Sequence, residues 1–104
     1  MLGEFEQLVL LALLRVGDDA YAVPVHEAIR RGGRDLTLGA IYKTLARLEE
    51  KGLVESRTGE PTAQRGGRRK RLYTVTAAGR AALRTSLATI RRLAAGLGLG
   101  LEKL

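Results

Sequence analysis

The sequence predicts a mainly α chain of the α+β class: three helices, a two-stranded hairpin and a fourth helix, in that order. Three observations predict it. Apolar residues recur at helical spacing in separate segments, and those segments are divided by glycine-rich punctuation. A short region richer in β-branched and aromatic residues lies between the third and last helical segments. At 104 residues the chain makes one small domain, which buries a modest core and gains from a partner subunit.

The first helix runs from Phe5 to Arg15 and stops at "GDD". Its apolar side chains point in almost every direction, so it has to be covered on more than one side. The domain's own core supplies one cover and a second subunit the other; the alternative is a single well-buried central helix. In "DDAYAVPVHEAIRRGG", Asp18 or Asp19 is the expected N-cap, and Pro24 fits only in the first turn. Ala22, Val25, Ala28 and Ile29 form a short apolar stripe, and Gly32 and Gly33 end the helix.

The third segment, "TLGAIYKTLARLEEKG", opens on Thr37 as N-cap and closes on Gly52 as C-cap. Leu38, Ile41, Leu45 and Leu48 fall on one face and are expected to be buried together. The other faces carry Gly39, Ala40, Tyr42, Lys43, Ala46 and Arg47, while the acids Glu49 and Glu50 come only at the far end. A helix dipole favours the reverse order of charges, so the N-terminal half is expected to face something negative.

Strands are expected over "LVESRT" (Leu53 to Thr58) and "RLYTV" (Arg71 to Val75), with Tyr73 in the core. Between them the polar stretch from Gly59 to Lys70 makes a long hairpin tip. Thr76 caps the last helix, in which Leu83, Leu87, Ile90, Ala94 and Leu97 form a heptad-like seam. The glycines from Gly96 to Gly100 weaken its end. This order is that of a winged helix-turn-helix domain, whose third helix enters the DNA major groove and whose hairpin lies against backbone or minor groove. Residues 1–75 are read as the DNA-binding domain and residues 76–104 as a C-terminal dimerisation helix, together one compact unit.

The charge distribution agrees. Eighteen cations against eleven anions give a net charge of +7, which favours a nucleic acid or another anionic surface as partner. Arg65, Arg68, Arg69, Lys70 and Arg71 supply five of those cations within "RGGRRKRL", and without them the chain holds thirteen against eleven. The excess is therefore local to the hairpin.

These residues resemble the PadR-like transcriptional regulators, bacterial winged-helix repressors. The resemblance rests on "LGEFEQLVLLAL", on "LGAIYKTLARLEEKGLVES" and on "RGGRRKRLYTVTAAGRAAL", and it spans Leu2 to about Leu83. Many members have proline after the tyrosine where this chain has Lys43, so base preferences do not transfer. The resemblance implies a homodimer built through the first and last helices. It also implies repression, in many cases relieved by a small aromatic or phenolic effector, although this chain has no tryptophan and only Phe5 as phenylalanine.

On this reading the residues expected at double-stranded DNA are Thr37, Gly39, Ala40, Tyr42, Lys43 and Arg47 of the third helix. Arg65, Arg68, Arg69 and Lys70 of the hairpin are expected there too. The bland alternative for the helix is a solvated face with Arg47 paired to Glu50. Arg71 is expected either to pack on the sheet or to pair with Glu55. The dimer interface is expected to use Phe5, Leu8, Leu11, Leu83, Leu87, Ile90, Ala94 and Leu97. A competing reading is an RNA-binding or ribosome-associated winged-helix protein, which would stack exposed aromatics on unpaired bases. A third is a pure interaction module that binds no nucleic acid.

Other classes find little support. There is no cysteine, so disulfides and thiolate metal sites are excluded. His26 stands alone, short of a metal site, and Ser56 and Ser86 have no triad company. No catalytic residue, metal or cofactor is therefore assigned. The apolar run "LVLLALL" is too short to span a bilayer and is preceded by Glu4 and Glu6, so a cytoplasmic protein without a membrane partner is expected.

Overall fold

A computed structural model describes residues 2–61 and 69–100. Helices α1 (Glu4–Val16), α2 (Ala22–Arg31) and α3 (Leu38–Glu50) precede strands β1 (Val54–Pro61) and β2 (Arg69–Val75), and α4 (Ala77–Ala94) follows. The strands form a two-stranded antiparallel sheet. Ala20, just before α2, adds an isolated bridge to Tyr73, with the Tyr73 N–H donating to the Ala20 carbonyl at 2.8 Å.

The core collects one face from every element. Val9, Leu10, Ala12 and Leu13 enter from α1, Val25 and Ile29 from α2, and Ile41, Leu45 and Leu48 from α3. Val54 and Tyr73 close it from the sheet, and Leu83 from α4. The expected stripe on α3 is thus correct for three of its four residues. Leu38 is the exception, exposed at 39%. It sits in the first turn of α3, and Leu36, two residues earlier, takes the buried place at that end.

Helix ends follow local chemistry. The Thr37 hydroxyl accepts from the Ala40 N–H at 3.0 Å, and the Thr76 hydroxyl accepts from the Gly79 N–H at 3.0 Å, so both expected N-caps form. After α3 the Gly52 N–H donates to the Glu49 carbonyl and the Leu53 N–H to the Leu48 carbonyl, the two bonds of a Schellman turn. That turn needs the left-handed backbone of Gly52, at φ +75°. Neither Asp18 nor Asp19 caps α2, contrary to expectation. The N-cap position is Tyr21, without a side-chain cap bond, because the chain from Ala20 first pairs with the sheet. Asp19 instead adopts φ 63° and pairs with Arg57 at 3.1 Å.

The strands run further out than the sequence indicated. Register pairs Val54 with Val75, Ser56 with Tyr73 and Thr58 with Arg71, then shifts so that Pro61 meets Arg69. Gly59 and Glu60 therefore face Lys70 as a β-bulge. A Cβ on Gly59 would lie 3.0 Å from the Leu72 side chain and 3.3 Å from the Lys70 carbonyl, so a larger residue there would need a small local shift.

α4 is fastened to the turn after α3. The Thr76 N–H donates to the Leu53 carbonyl at 3.0 Å and the Thr76 hydroxyl to the Gly52 carbonyl at 2.8 Å. Gly79 lies so close that any Cβ would run into the Leu53 carbonyl. Further along, Ser86 is buried and its hydroxyl accepts the Leu2 N–H at 3.1 Å. The expected seam is corrected at both ends. Leu83 is 4% exposed within the chain's own core and is not available to a partner, and Leu97 lies beyond the last helical residue, Ala94.

Candidate nucleic-acid interface

α3 presents two contrasting faces. One is locked into the core by Ile41, Thr44, Leu45 and Leu48, with the Thr44 hydroxyl donating to the Ala40 carbonyl at 2.8 Å. The other shows Thr37, Gly39, Tyr42, Lys43, Ala46 and Arg47 to solvent, with Ala40 half-buried at the border. Tyr42 alone is 53% exposed. The Thr37 hydroxyl accepts the cap bond with one lone pair, and its O–H donates to none of the described residues. Among the described residues Lys43 and Arg47 form no ion pair, so the expected alternative of an Arg47–Glu50 pair is absent there. The helix thus carries small residues, a phenol and two free cations on one surface, suited to approach a groove and to bond phosphates or base edges.

The hairpin is less uniform than its composition. Arg65 and Arg68 lie outside the described residues, and Arg69 is placed by its backbone as the first residue of β2. Lys70 is exposed, yet its ammonium sits over the Tyr21 ring at 4.2 Å. Its charge is engaged within the chain, unlike that of a free phosphate ligand. Arg71 pairs with Glu49 of α3 at 3.6 Å. The expected alternative, Glu55, is on the opposite face of the sheet: Thr58 stands across from Arg71, and Glu55 across from Thr74.

One functional-looking residue escaped the sequence reading. Glu6 is buried, its carboxylate accepts from the Gly3 N–H at 3.0 Å, and Lys51 pairs with it at 2.6 Å. Burial pushes its pKa up, but the Lys51 bond, the Gly3 N–H and the charges of Lys51 and Arg47 outweigh that and hold it below the usual value. The available signal was its position three residues after the N-cap, where a glutamate reaches back to the cap. It ties the start of α1 to the end of α3.

Part of the remaining surface, on α1 and α4, is apolar. Phe5 is 38% exposed and Leu11 40% exposed on α1, with Leu8 half-buried beside them, while Arg34 lies over the Phe5 ring and pairs with Glu4. Leu8, Leu11, Leu14, Ala28 and Ile29 line a groove of about 550 Å³ between α1 and α2, bordered by Arg15 and Arg34. On α4, Leu87, Ile90 and Leu93 are exposed and Ala94 is half-buried. No helix among the described residues is long and apolar enough to cross a membrane. No group of three His, Cys, Asp or Glu side chains among them could hold a metal ion.

The model of the Transcriptional regulator PadR-like family matches residues 10–85. The chain belongs to the PadR-like family of transcriptional regulators. This PadR-like chain is similar in structure to a PadR family transcription regulator from hypervirulent Clostridium difficile R20291. The TM-score is 0.74 at 25% identity, over 88% of this chain and 91% of that one. A PadR family transcriptional regulator from Eggerthella lenta DSM 2243 gives 0.70 at 26% identity, over 94% and 84%. Bacillus subtilis PadR, solved in complex with operator DNA, gives 0.62 at 25% identity, over 78% of this PadR-like chain and 45% of that one. No curated protein matches the sequence.

Proposed function

We propose that this PadR-like regulator is a homodimeric, sequence-specific repressor, in which α3 reads duplex DNA and the basic hairpin holds the backbone beside it. The observation that carries this reading is the free face of α3, where Tyr42, Lys43 and Arg47 stand exposed above a stripe that the core fixes rigidly. A face held by Ile41, Leu45 and Leu48 on its back cannot turn away from a groove. Complexation of Bacillus subtilis PadR with operator DNA supports the same use of the fold.

The dimer would be built from the apolar surface of α1, with Phe5, Leu8 and Leu11, and from Leu87, Ile90 and Ala94 of α4, with Leu97 just past its end. Residues 1–75 then act as the DNA-binding part and residues 76–104 as the dimerising part, the first half of α4 also serving the core. Relief by a small aromatic or phenolic effector belongs to this reading, since Arg15 at the edge of the apolar α1–α2 groove suits a phenolate. The reading has no catalytic role and no cofactor in it, and it places the protein in the cytoplasm with its DNA.

Binding-site selection from random duplex DNA tests it. The expected product is a palindrome with half-sites one helical turn, ~10 bp, apart. No enrichment, or preferential capture by a structured RNA competitor, would remove the DNA reading in favour of RNA binding through the exposed Tyr42.

A further inference from the structure

A helix C-terminus disfavours negative charge, yet α3 ends in Glu49 and Glu50. The reversed charge order therefore asks what the acids do as well as what the N-terminal half faces. Glu49 is half-buried, and one of its oxygens, Oε2, engages both strands of the hairpin. The Ser56 hydroxyl of β1 donates to it, and the Arg71 guanidinium of β2 pairs with it at 3.6 Å. Ser56 and Arg71 share one face of the sheet with Tyr73, which stands directly opposite Ser56. Burial pushes the Tyr73 phenol up in pKa, Arg71 opposes that, and Glu49 and Tyr42 add to it, so these groups cluster between α3 and the sheet.

The opposite face of the hairpin has its own ties. Arg57 pairs with Asp19 at 3.1 Å, and Lys70 stacks on Tyr21 at 4.2 Å, both reaching residues between α1 and α2. The hairpin is gripped on both faces, and on the α3 side the polar grip passes through Glu49.

We propose that Glu49 is a positioning residue that fixes the pose of the hairpin against α3, so that backbone contact by the hairpin is coupled to base reading by α3. This rests on the DNA-contacting reading of those two elements. Glu49 itself need touch no nucleic acid. Its pair with Arg71, more than a third exposed on each side, adds little to folding stability, and its position against the dipole offsets what the pair contributes. Its effect lies in orientation.

The test has one arm without DNA and one with it. Residual dipolar couplings of the free dimeric protein report the orientation of hairpin amides relative to α3 amides. In Glu49→Ala the two sets are expected to stop fitting one common alignment frame, and in a Glu49→Arg, Arg71→Glu exchange to fit it again. Couplings unchanged in Glu49→Ala would overturn the proposal whether or not the protein binds DNA. In the second arm, the slope of log affinity against log salt is expected to fall by roughly one in Glu49→Ala, for one lost phosphate contact, while the consensus selected from random duplexes stays the same. A reoriented hairpin with an unchanged slope would equally overturn the coupling. Failure of the wild type to select any duplex would instead remove the DNA reading and leave the orientation arm to decide the pose.

Discussion

From Ala77 to Ser86, α4 is fitted into the body of the molecule. Gly79 abuts the Leu53 carbonyl, Leu83 fills the core and Ser86 holds the Leu2 N–H. From Leu87 to Ala94 the same helix continues the same apolar spacing, yet Leu87, Ile90 and Leu93 face solvent, Leu93 at 74% exposure. One periodic pattern thus serves two surroundings. The spacing says that a stripe is apolar, but only the length of the body it crosses says where its own core stops and a partner would have to begin.

The comparison is broken most easily by shortening the same residue type in each half. Leu83→Ala is expected to lower folding stability by about 2–5 kcal/mol, since it empties a core position. Leu87→Ala is expected to leave the folded subunit within about 0.5 kcal/mol, as an exposed substitution, and to weaken self-association. Chemical denaturation of the two variants at several protein concentrations checks both. Equal losses that do not vary with concentration would erase the distinction between the halves.

Gly79→Ala comes next, expected to cost about 1–3 kcal/mol, because the added methyl collides with a backbone carbonyl that already accepts from Thr76. Thermal unfolding measures it. A helix former replacing glycine would ordinarily stabilise, so a raised midpoint would contradict the packing seen at this contact.

These halves also show what could be read from the sequence. Thr37, Thr76 and the Gly52 turn were legible because caps and left-handed turns depend on a few adjacent residues. Ile41, Leu45, Leu48 and Tyr73 were legible because their faces are periodic and central. The failures share a different cause. Asp19 looked like a cap, but Ala20 was claimed first by pairing with Tyr73, a contact across more than fifty residues of chain. Arg71 could not be matched to Glu49 until the register put Glu55 on the other face. Leu38 and Leu83 were misplaced because periodicity names a face without saying where along it the core lies. At the candidate interface Tyr42, Lys43 and Arg47 were legible as an exposed surface, whereas the engagement of Lys70 by Tyr21 required the fold.

The smallest expected effect concerns acid. Glu6 has a lower pKa folded than unfolded, so it contributes stability that is present above the ordinary glutamate value and lost as pH falls through the depressed one. Glu6→Gln should flatten that part of the stability–pH profile while leaving the Leu83–Leu87 contrast intact. A profile unchanged by the substitution would show that Lys51 and Gly3 do not favour the ionised form.

The bond from the Thr76 N–H to the Leu53 carbonyl has one more consequence. It closes the chain on itself at the base of the sheet, so residues 54–75 form an excursion whose two ends are already joined. Lengthening such an excursion costs little, since each doubling of a flexible loop adds only ~0.6 kcal/mol of closure entropy. An insertion between the two strands is therefore expected to leave the packing of the helices beneath the sheet unchanged.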